Sequence, residues 1–164
     1  MLSQLEDRGG RLPLVVGEVP ITEVAGEVVT ELRPVLGPRH VSVAVTPPGL
    51  VVPGDRDRIK QVLLNLVENA AKYSPAGTPI RIAAHKVAGD VRFSIEDEGP
   101  GIPESDRESV FERFYRGDKS GGGLGMGLAI VRGIIEAHRG TLELDTRAPN
   151  TRFAIRIPLV QADA

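Results

Sequence analysis

The feature that most constrains this chain is a glycine-rich segment, residues 121–127, that runs directly into apolar residues beginning at Leu128. Glycine is entropically costly inside a helix or strand, so we expect a loop whose backbone can approach a ligand closely. A helix is predicted to follow at once, over Leu124 to Ala137. Its N-terminus would offer free N–H groups and a positive dipole end, which suit phosphate. Taken alone, the segment is equally typical of a flexible hinge or linker.

The composition predicts one compact domain and excludes several classes of protein. The chain has 164 residues, of which 41% are hydrophobic, enough for a real core. Its net charge of -2 and its 4% of aromatic residues argue against a nucleic-acid partner. The sequence has no cysteine, which excludes a disulfide scaffold and cysteine-ligated metal and fits a reducing compartment. It shows no signal peptide and no apolar membrane span, so we expect a cytoplasmic location.

The hydrophobic pattern predicts an α/β sandwich (α+β), with a mixed, largely antiparallel sheet and helices packed on one face. The predicted helices cover 21–36, 55–73, 104–111 and 124–137. The predicted strands cover 14–19, 41–45, 50–52, 80–86, 91–97, 141–145 and 152–157, and strand 50–52 is expected to pair back on 41–45. His138 falls on the apolar stripe of the last helix, which predicts a packed histidine.

The helix over 55–73, with Asp55 as its N-cap, carries two stripes. One is apolar, and Asn65, Asn69 and Lys72 form a second stripe at its edge. Asparagine oxygens are hard, neutral ligands for Mg²⁺, and lysine suits phosphate. A plain solvated face is the alternative, and it is the interpretation we prefer for Glu68, which lies nearly opposite the apolar stripe.

The strand over 91–97 alternates in polarity, and its period of two places Asp97 on the inward face with Phe93 and Ile95. A carboxylate that points into a core needs a donor, and an adenine amino group would be suitable. A turn-capping aspartate is the alternative.

Four segments, in order, resemble the motif boxes of sensor histidine kinases. Asn65 to Pro75 (NLVENAAKYSP) resembles the N box, and Asp97 to Pro103 (DEGPGIP) resembles the first glycine box. Phe111 to Arg116 (FERFYR) resembles the F box, and Gly123 to Val131 (GLGMGLAIV) resembles the second glycine box. Each motif alone is weak or moderate evidence, but four with matching order and spacing are specific.

The resemblance implies the catalytic and ATP-binding domain of a histidine kinase, in the superfamily that includes gyrase and the Hsp90 chaperone. It implies a Bergerat-type fold with about three helices on one face of the sheet, an ATP lid, and Mg-ATP as cofactor. By matching positions, it makes Asn69 the Mg²⁺ ligand, Lys72 a phosphate contact and Arg116 a lid arginine for the γ-phosphate; these three are the catalytic candidates. Asp97 matches the aspartate that reads adenine. The other implied nucleotide contacts are Asn65, Tyr73, Gly99, Gly101, Ile102, Gly123, Leu124, Gly125, Met126, Gly127 and Leu128.

The chain departs from the family pattern in three places. No histidine has the context of the family's phosphoacceptor, a histidine followed by an acidic residue on a dimerising helix. The lid segment between Arg116 and Gly123 is short, and we expect residues 112–123 to become ordered with nucleotide. Arg139 stands where many members of the family have glycine.

The resulting hypothesis is that residues 14–160 are an ATP-binding catalytic domain, preceded by a remnant of a dimerisation helix (1–13) and followed by a tail (161–164). The domain would phosphorylate a histidine on the dimerisation domain of a homodimeric parent kinase, with a response regulator downstream. As a monomeric fragment it is not expected to autophosphorylate alone. The alternative is a nucleotide-gated binding module of the same fold, such as an anti-sigma-type serine kinase or a kinase-dead regulator.

Overall fold

The computed structural model describes residues 13–98, 124–145 and 151–159, and these residues form seven strands and three helices. The strands are β1 Gly17–Pro20, β2 Val41–Thr46, β3 Val51–Gly54, β4 Ile80–Val87, β5 Asp90–Asp97, β6 Thr141–Asp145 and β7 Thr151–Pro158. The helices are α1 Ile21–Leu36, α2 Arg56–Tyr73 and α3 Leu124–Ala137. Two further predictions, the helix over 104–111 and the lid, lie outside the described residues.

The main sheet has five strands in the order β2-β4-β5-β7-β6. Strand β2 runs parallel to β4, and the other neighbours are antiparallel, so the sheet is mixed and largely antiparallel as predicted. The predicted pairing of residues 50–52 with β2 is wrong. Strand β3 instead pairs with β1, with Val52 opposite Val19, and this pairing buries both side chains completely.

Helix α1 has the predicted bounds and turns Ile21, Val24 and Val28 into the core. Val35, which the helical period places on the same side, is 56% exposed. Leu36 is buried instead, where Gly37 (φ 61°) ends the helix and the chain turns towards β2.

Helix α2 is the central helix, in contact with α1, α3 and β5. It begins where predicted, because the Asp55 carboxylate accepts a hydrogen bond from the Arg58 N–H at 3.2 Å and satisfies one of the free donors of the first turn. Its apolar stripe is buried as predicted: Ile59, Val62, Leu63, Leu66, Val67 and Ala70.

Helix α3 also has the predicted bounds, and the loop expected from the glycine-rich segment is therefore wrong for residues 124–127, which form the first turn of the helix. Leu128, Val131 and Ile134 are fully buried, and so is His138 just past the helix end, which confirms the predicted packed histidine. None of the described helices is long and apolar enough to cross a membrane.

Candidate functional site

The polar stripe of α2 lies where its periodicity places it, at the edge of the buried face. Asn65 and Asn69 are half-buried beside fully buried Leu66 and Val67, while Lys72, in the last turn, is exposed. Glu68 is exposed, as expected for the solvated side of the helix. The three residues Asn65, Asn69 and Lys72 therefore line one margin of a rigid, well-packed helix. The structure gives Tyr73 as the last residue of α2 without a description of its side chain.

The amide of Asn69 has an unusual environment. Its Nδ2 atom is buried and has no hydrogen-bond partner within the described part of the chain. A buried amide group left in this state costs about 1–3 kcal/mol, so the position is suited to a polar ligand. Rotation of the amide by half a turn exchanges nitrogen and oxygen. The same site can thus present a donor to a phosphate oxygen or a neutral oxygen to a metal ion.

Strand alternation turns three consecutive carboxylates, at residues 96–98, alternately away from and towards the core. Asp97, the last residue of β5, is 5% exposed on the inward face, as predicted. Glu96 and Glu98 point outwards, where Arg81 of β4 approaches them at 3.8 and 3.4 Å. A carboxylate buried beside Phe93 and Ile95 is costly unless donors meet it, and such a group can read a hydrogen-bond donor on a ligand.

The packing brings together three elements that carry predicted site segments. Helix α2, which carries Asn69, contacts both β5, which ends in Asp97, and α3, which begins at the second glycine box. Leu128 of that box is fully buried, so it belongs to the core in addition to its implied role at the nucleotide. The backbone of Leu124, Gly125, Met126 and Gly127 is helical, and the structure does not describe their side-chain positions. The remaining predicted contacts lie outside the described residues: Gly99, Gly101, Ile102, Arg116 and Gly123.

The described side chains of the candidate site are compatible with a magnesium ion held chiefly by a nucleotide. Across the described ranges, no three His, Cys, Asp or Glu side chains come together as a metal site. Mg²⁺ in nucleotide sites typically takes only one or two protein ligands, together with phosphate oxygens and water. The amide of Asn69, with its orphaned buried atom, fits that requirement.

Sequence reasoning missed Arg39, which lies against the end of α2 and is only 7% exposed. Its guanidinium donates to Ser74 Oγ at 2.6 Å, to the Thr78 carbonyl at 3.0 Å and to the Ala71 carbonyl at 3.2 Å. No periodicity or motif marks this residue, because it follows the turn at Gly37 and Pro38. Its partners lie 32 to 39 residues further along the chain, so no local pattern could have identified it.

His138 and Asp55 form a second junction, at the other end of α2. The Asp55 N–H donates to Nε2 of His138 at 3.0 Å, and Nδ1 of His138 lies 2.9 Å from the Ile134 carbonyl, so the ring is a neutral imidazole with Nδ1 as donor. Burial lowers the pKa of His138, against smaller opposing effects of the Ile134 carbonyl and the Asp55 carboxylate. A Cβ at Gly54 would lie 2.7 Å from Ile59 Cδ1 and 3.0 Å from the His138 ring, so the junction has no room for a side chain there.

The sequence matches the family described as histidine kinase-, DNA gyrase B-, and HSP90-like ATPase over residues 54–161. Among characterised proteins it is 38% identical to the probable sensor histidine kinase TcrY of Mycobacterium tuberculosis, over 90% of this chain and 32% of that protein. It is 47% identical to the adaptive-response sensory kinase SasA of a Nostoc species, over 56% of this chain and 24% of that protein. The chain thus spans about a third or less of the length of these two relatives.

Solved structures of the same size also match closely. The catalytic domain of histidine kinase ThkA superposes with a TM-score of 0.79 at 32% identity, over 89% of this chain and 97% of that one. The mycobacterial sensor histidine kinase MprB superposes with a TM-score of 0.78 at 34% identity, over 90% of this chain and 100% of that one. Both of those structures match over nearly their whole length.

Proposed function

This chain belongs to the histidine kinase-, DNA gyrase B-, and HSP90-like ATPase family as a catalytic, ATP-binding domain of the histidine kinase type, and on that premise we propose that it donates the γ-phosphoryl group of Mg-ATP to a histidine on a partner dimerisation domain. The observation that carries the proposal is the orphaned amide of Asn69 at the margin of α2. The similarity to named sensor histidine kinases supports the phosphoryl-transfer part.

The proposed acceptor histidine lies on another domain. His138 is fully buried with both ring nitrogens engaged, so it cannot approach a γ-phosphate. A homodimeric parent kinase would supply the acceptor, and a response regulator would receive the phosphoryl group. We place this signalling in the cytoplasm, with the parent either soluble or anchored to a membrane.

In the proposed mechanism the domain positions reactants and contributes little covalent chemistry. Asp97 accepts a hydrogen bond from the adenine amino group, and the buried surroundings of its carboxylate strengthen that contact. Asn69 would hold the metal ion and Lys72 would contact a phosphate, both from the C-terminal half of α2. When bound, Mg²⁺ neutralises charge on the phosphates. The N-terminal turn of α3 offers backbone N–H groups to the phosphate chain.

Calorimetric titration of the full chain with ADP and with GDP, each with Mg²⁺, tests nucleotide binding. We expect preference for ADP, since guanine presents a carbonyl where adenine has its amino group, so two acceptors would face each other. Loss of such a contact weakens binding by about 1–3 kcal/mol. Equal affinities would reject the role of Asp97, and binding of neither nucleotide would reject the proposed function.

A second experiment separates a kinase from a nucleotide-gated binding module. The chain is mixed with the dimerisation domain of its own parent kinase, where the acceptor would be a histidine followed by an acidic residue, and γ-labelled ATP is added. Acid-labile, base-stable label on the acceptor is expected. Tight ATP binding without any labelling of the parent's own acceptor domain would favour the binding module.

A further inference from the structure

We infer that Arg39 is a positioning residue of the nucleotide site: it fixes the C-terminal turn of α2 and with it the placement of Asn69 and Lys72. The inference rests on the proposed function, since it assigns a role to Arg39 only if α2 binds nucleotide. Arg39 touches neither of the two site residues in the described contacts. It would act through the backbone that carries them.

The contacts of Arg39 enclose the end of α2. One guanidinium nitrogen, Nη2, donates to the Ala71 carbonyl, which lies between Asn69 and Lys72 in the sequence. The other, Nη1, donates to Ser74 Oγ, and Ser74 is the C-cap of the helix. The hydroxyl of Ser74 in turn donates to the Ala70 carbonyl. Two of the last carbonyls of α2 are therefore held by one side chain, one of them directly and one through Ser74.

The charge of Arg39 suits this position. The last carbonyls of a helix carry its negative dipole end, and a cation there is stabilising. Within the described residues, every hydrogen-bond acceptor of Arg39 is a neutral oxygen, so no carboxylate draws the guanidinium away from the helix end. Its Nε atom is buried with no partner in the described part of the chain, so the contacts of the guanidinium are made by its two Nη atoms. A planar, rigid fork can hold two acceptors at once, which an ammonium group cannot do in the same geometry.

Arg39 is itself held in place by α1. Arg33, in the last turn of α1, donates to the Arg39 carbonyl at 2.8 Å and to the Gly37 carbonyl at 3.0 Å. The backbone from which the Arg39 side chain extends is therefore fixed. The chain of contacts from Arg33 through Arg39 to Ser74 joins the C-terminal ends of two helices, and the second of these helices carries the candidate site.

The test compares Arg39→Lys and Ser74→Ala with the unsubstituted chain by calorimetric titration with Mg-ADP, well below each melting temperature. Arg39→Lys keeps the charge and loses the fork, whereas Ser74→Ala keeps the fork and removes one acceptor. Calorimetry separates two effects, because a partly unfolded sample lowers the binding stoichiometry while a displaced site raises Kd. We expect a rise in Kd of about tenfold for Arg39→Lys and a smaller rise for Ser74→Ala, both at unchanged stoichiometry. Amide hydrogen exchange should rise at residues 70–74 in both variants.

Arg156→Gln is the matched control. This variant also removes a partly buried arginine, but one whose ion pair is with Asp90, at 3.1 Å, on the main sheet. Its Kd for ADP is expected to match that of the unsubstituted chain. Unchanged Kd in both Arg39→Lys and Ser74→Ala, or a change in stoichiometry alone, would overturn the positioning role and leave the proposed function standing. Failure of the unsubstituted chain to bind ADP would instead overturn the proposed function, and this inference with it.

Discussion

At the scale of single residues, backbone conformation and burial impose different constraints, the first at Arg139 and the second at Asp97. Arg139 follows the buried His138 and has φ 63°, in the left-handed region that favours glycine. Asp97 adopts an ordinary strand conformation but places a carboxylate in the core. The backbone conformation of Arg139 suits glycine better than arginine. At Asp97 the backbone is ordinary, but burial makes the carboxylate charge costly to desolvate. The two residues lead to different predictions, a gain in stability for Arg139→Gly and a loss of nucleotide binding for Asp97→Asn.

Arg139→Gly should stabilise the domain. A non-glycine residue in the left-handed region costs about 1–2 kcal/mol, and part of the gain is lost because glycine has more freedom in the unfolded chain. We therefore expect the free energy of unfolding in urea to rise by roughly 0.5–1 kcal/mol. Arg132→Gly, within α3, is the matched control and should lower it by about 1 kcal/mol, as glycine does inside a helix. A loss at Arg139 as large as the loss at Arg132 would contradict the strain argument.

Asp97→Asn should weaken nucleotide binding while it leaves the free domain intact. The substitution removes the charge and turns one acceptor oxygen into a donor, so under the proposed contact with the adenine amino group Kd for ADP is expected to rise by about tenfold or more. The melting temperature without nucleotide should be unchanged or higher, because the buried side chain no longer carries a charge while its amide oxygen can still accept a hydrogen bond. Glu96→Gln, on the outward face of the same strand, is the control and should leave Kd unchanged. A fall in melting temperature without a change in Kd would make Asp97 structural.

At the scale of elements, sequence reasoning worked where the signal was local. The bounds of α1, α2 and α3 follow from apolar periodicity and, for α2, from the Asp55 cap. The partner of β3 and the contacts of Arg39 could not be predicted, because each depends on segments that are distant in the sequence. The polar stripe of α2 and the inward carboxylate of Asp97 were predictable from period alone. The roles proposed for these residues rest on the order of the motifs.

The junction between α3 and α2 predicts a pH dependence of stability. The folded state keeps His138 neutral through burial, which lowers its pKa, whereas the unfolded chain takes up a proton below about pH 6.5. The stabilising contribution is therefore complete above that pH and is lost as the pH falls from there towards the lower folded-state pKa. For one proton the slope is at most about 1.4 kcal/mol per pH unit.

Urea unfolding between pH 7.5 and 5.5 measures this contribution. His138→Gln should be less stable at pH 7.5 and should show a shallower decline on acidification than the unsubstituted chain. His85→Gln, which replaces an exposed histidine on β4, is the control and should keep the full decline. Equal slopes for the chain with and without His138 would show that other groups cause the acid sensitivity.

At the scale of the whole molecule, the sheet layer and the helix layer have different roles. The sheet supplies an apolar inner face, and its outer face carries charged pairs such as Arg81 with Glu96 and Arg156 with Asp90. Helix α2 is anchored at its start by Asp55 and His138 and at its end by Arg39. A helix fixed at both ends keeps its polar margin rigid, and rigid placement of a ligand is what near-octahedral Mg²⁺ coordination demands.

Phosphoryl transfer in the parent kinase should therefore depend on Asn69 far more than on the adjacent Glu68. Asn69→Ala removes the amide whose buried Nδ2 has no partner in the described part of the chain. Because this deletion removes an unsatisfied polar atom, the melting temperature should change little, while labelling of the acceptor histidine from γ-labelled ATP should become undetectable.

Glu68→Ala is the control: it changes an exposed residue of the same helix and should retain activity close to that of the unsubstituted kinase. Normal phosphotransfer by a folded Asn69→Ala protein would reject the metal assignment at Asn69 and would leave Asn65, one turn earlier on α2, as the next amide oxygen to test. Asn65→Ala, measured alongside, would then show whether that residue holds the metal instead.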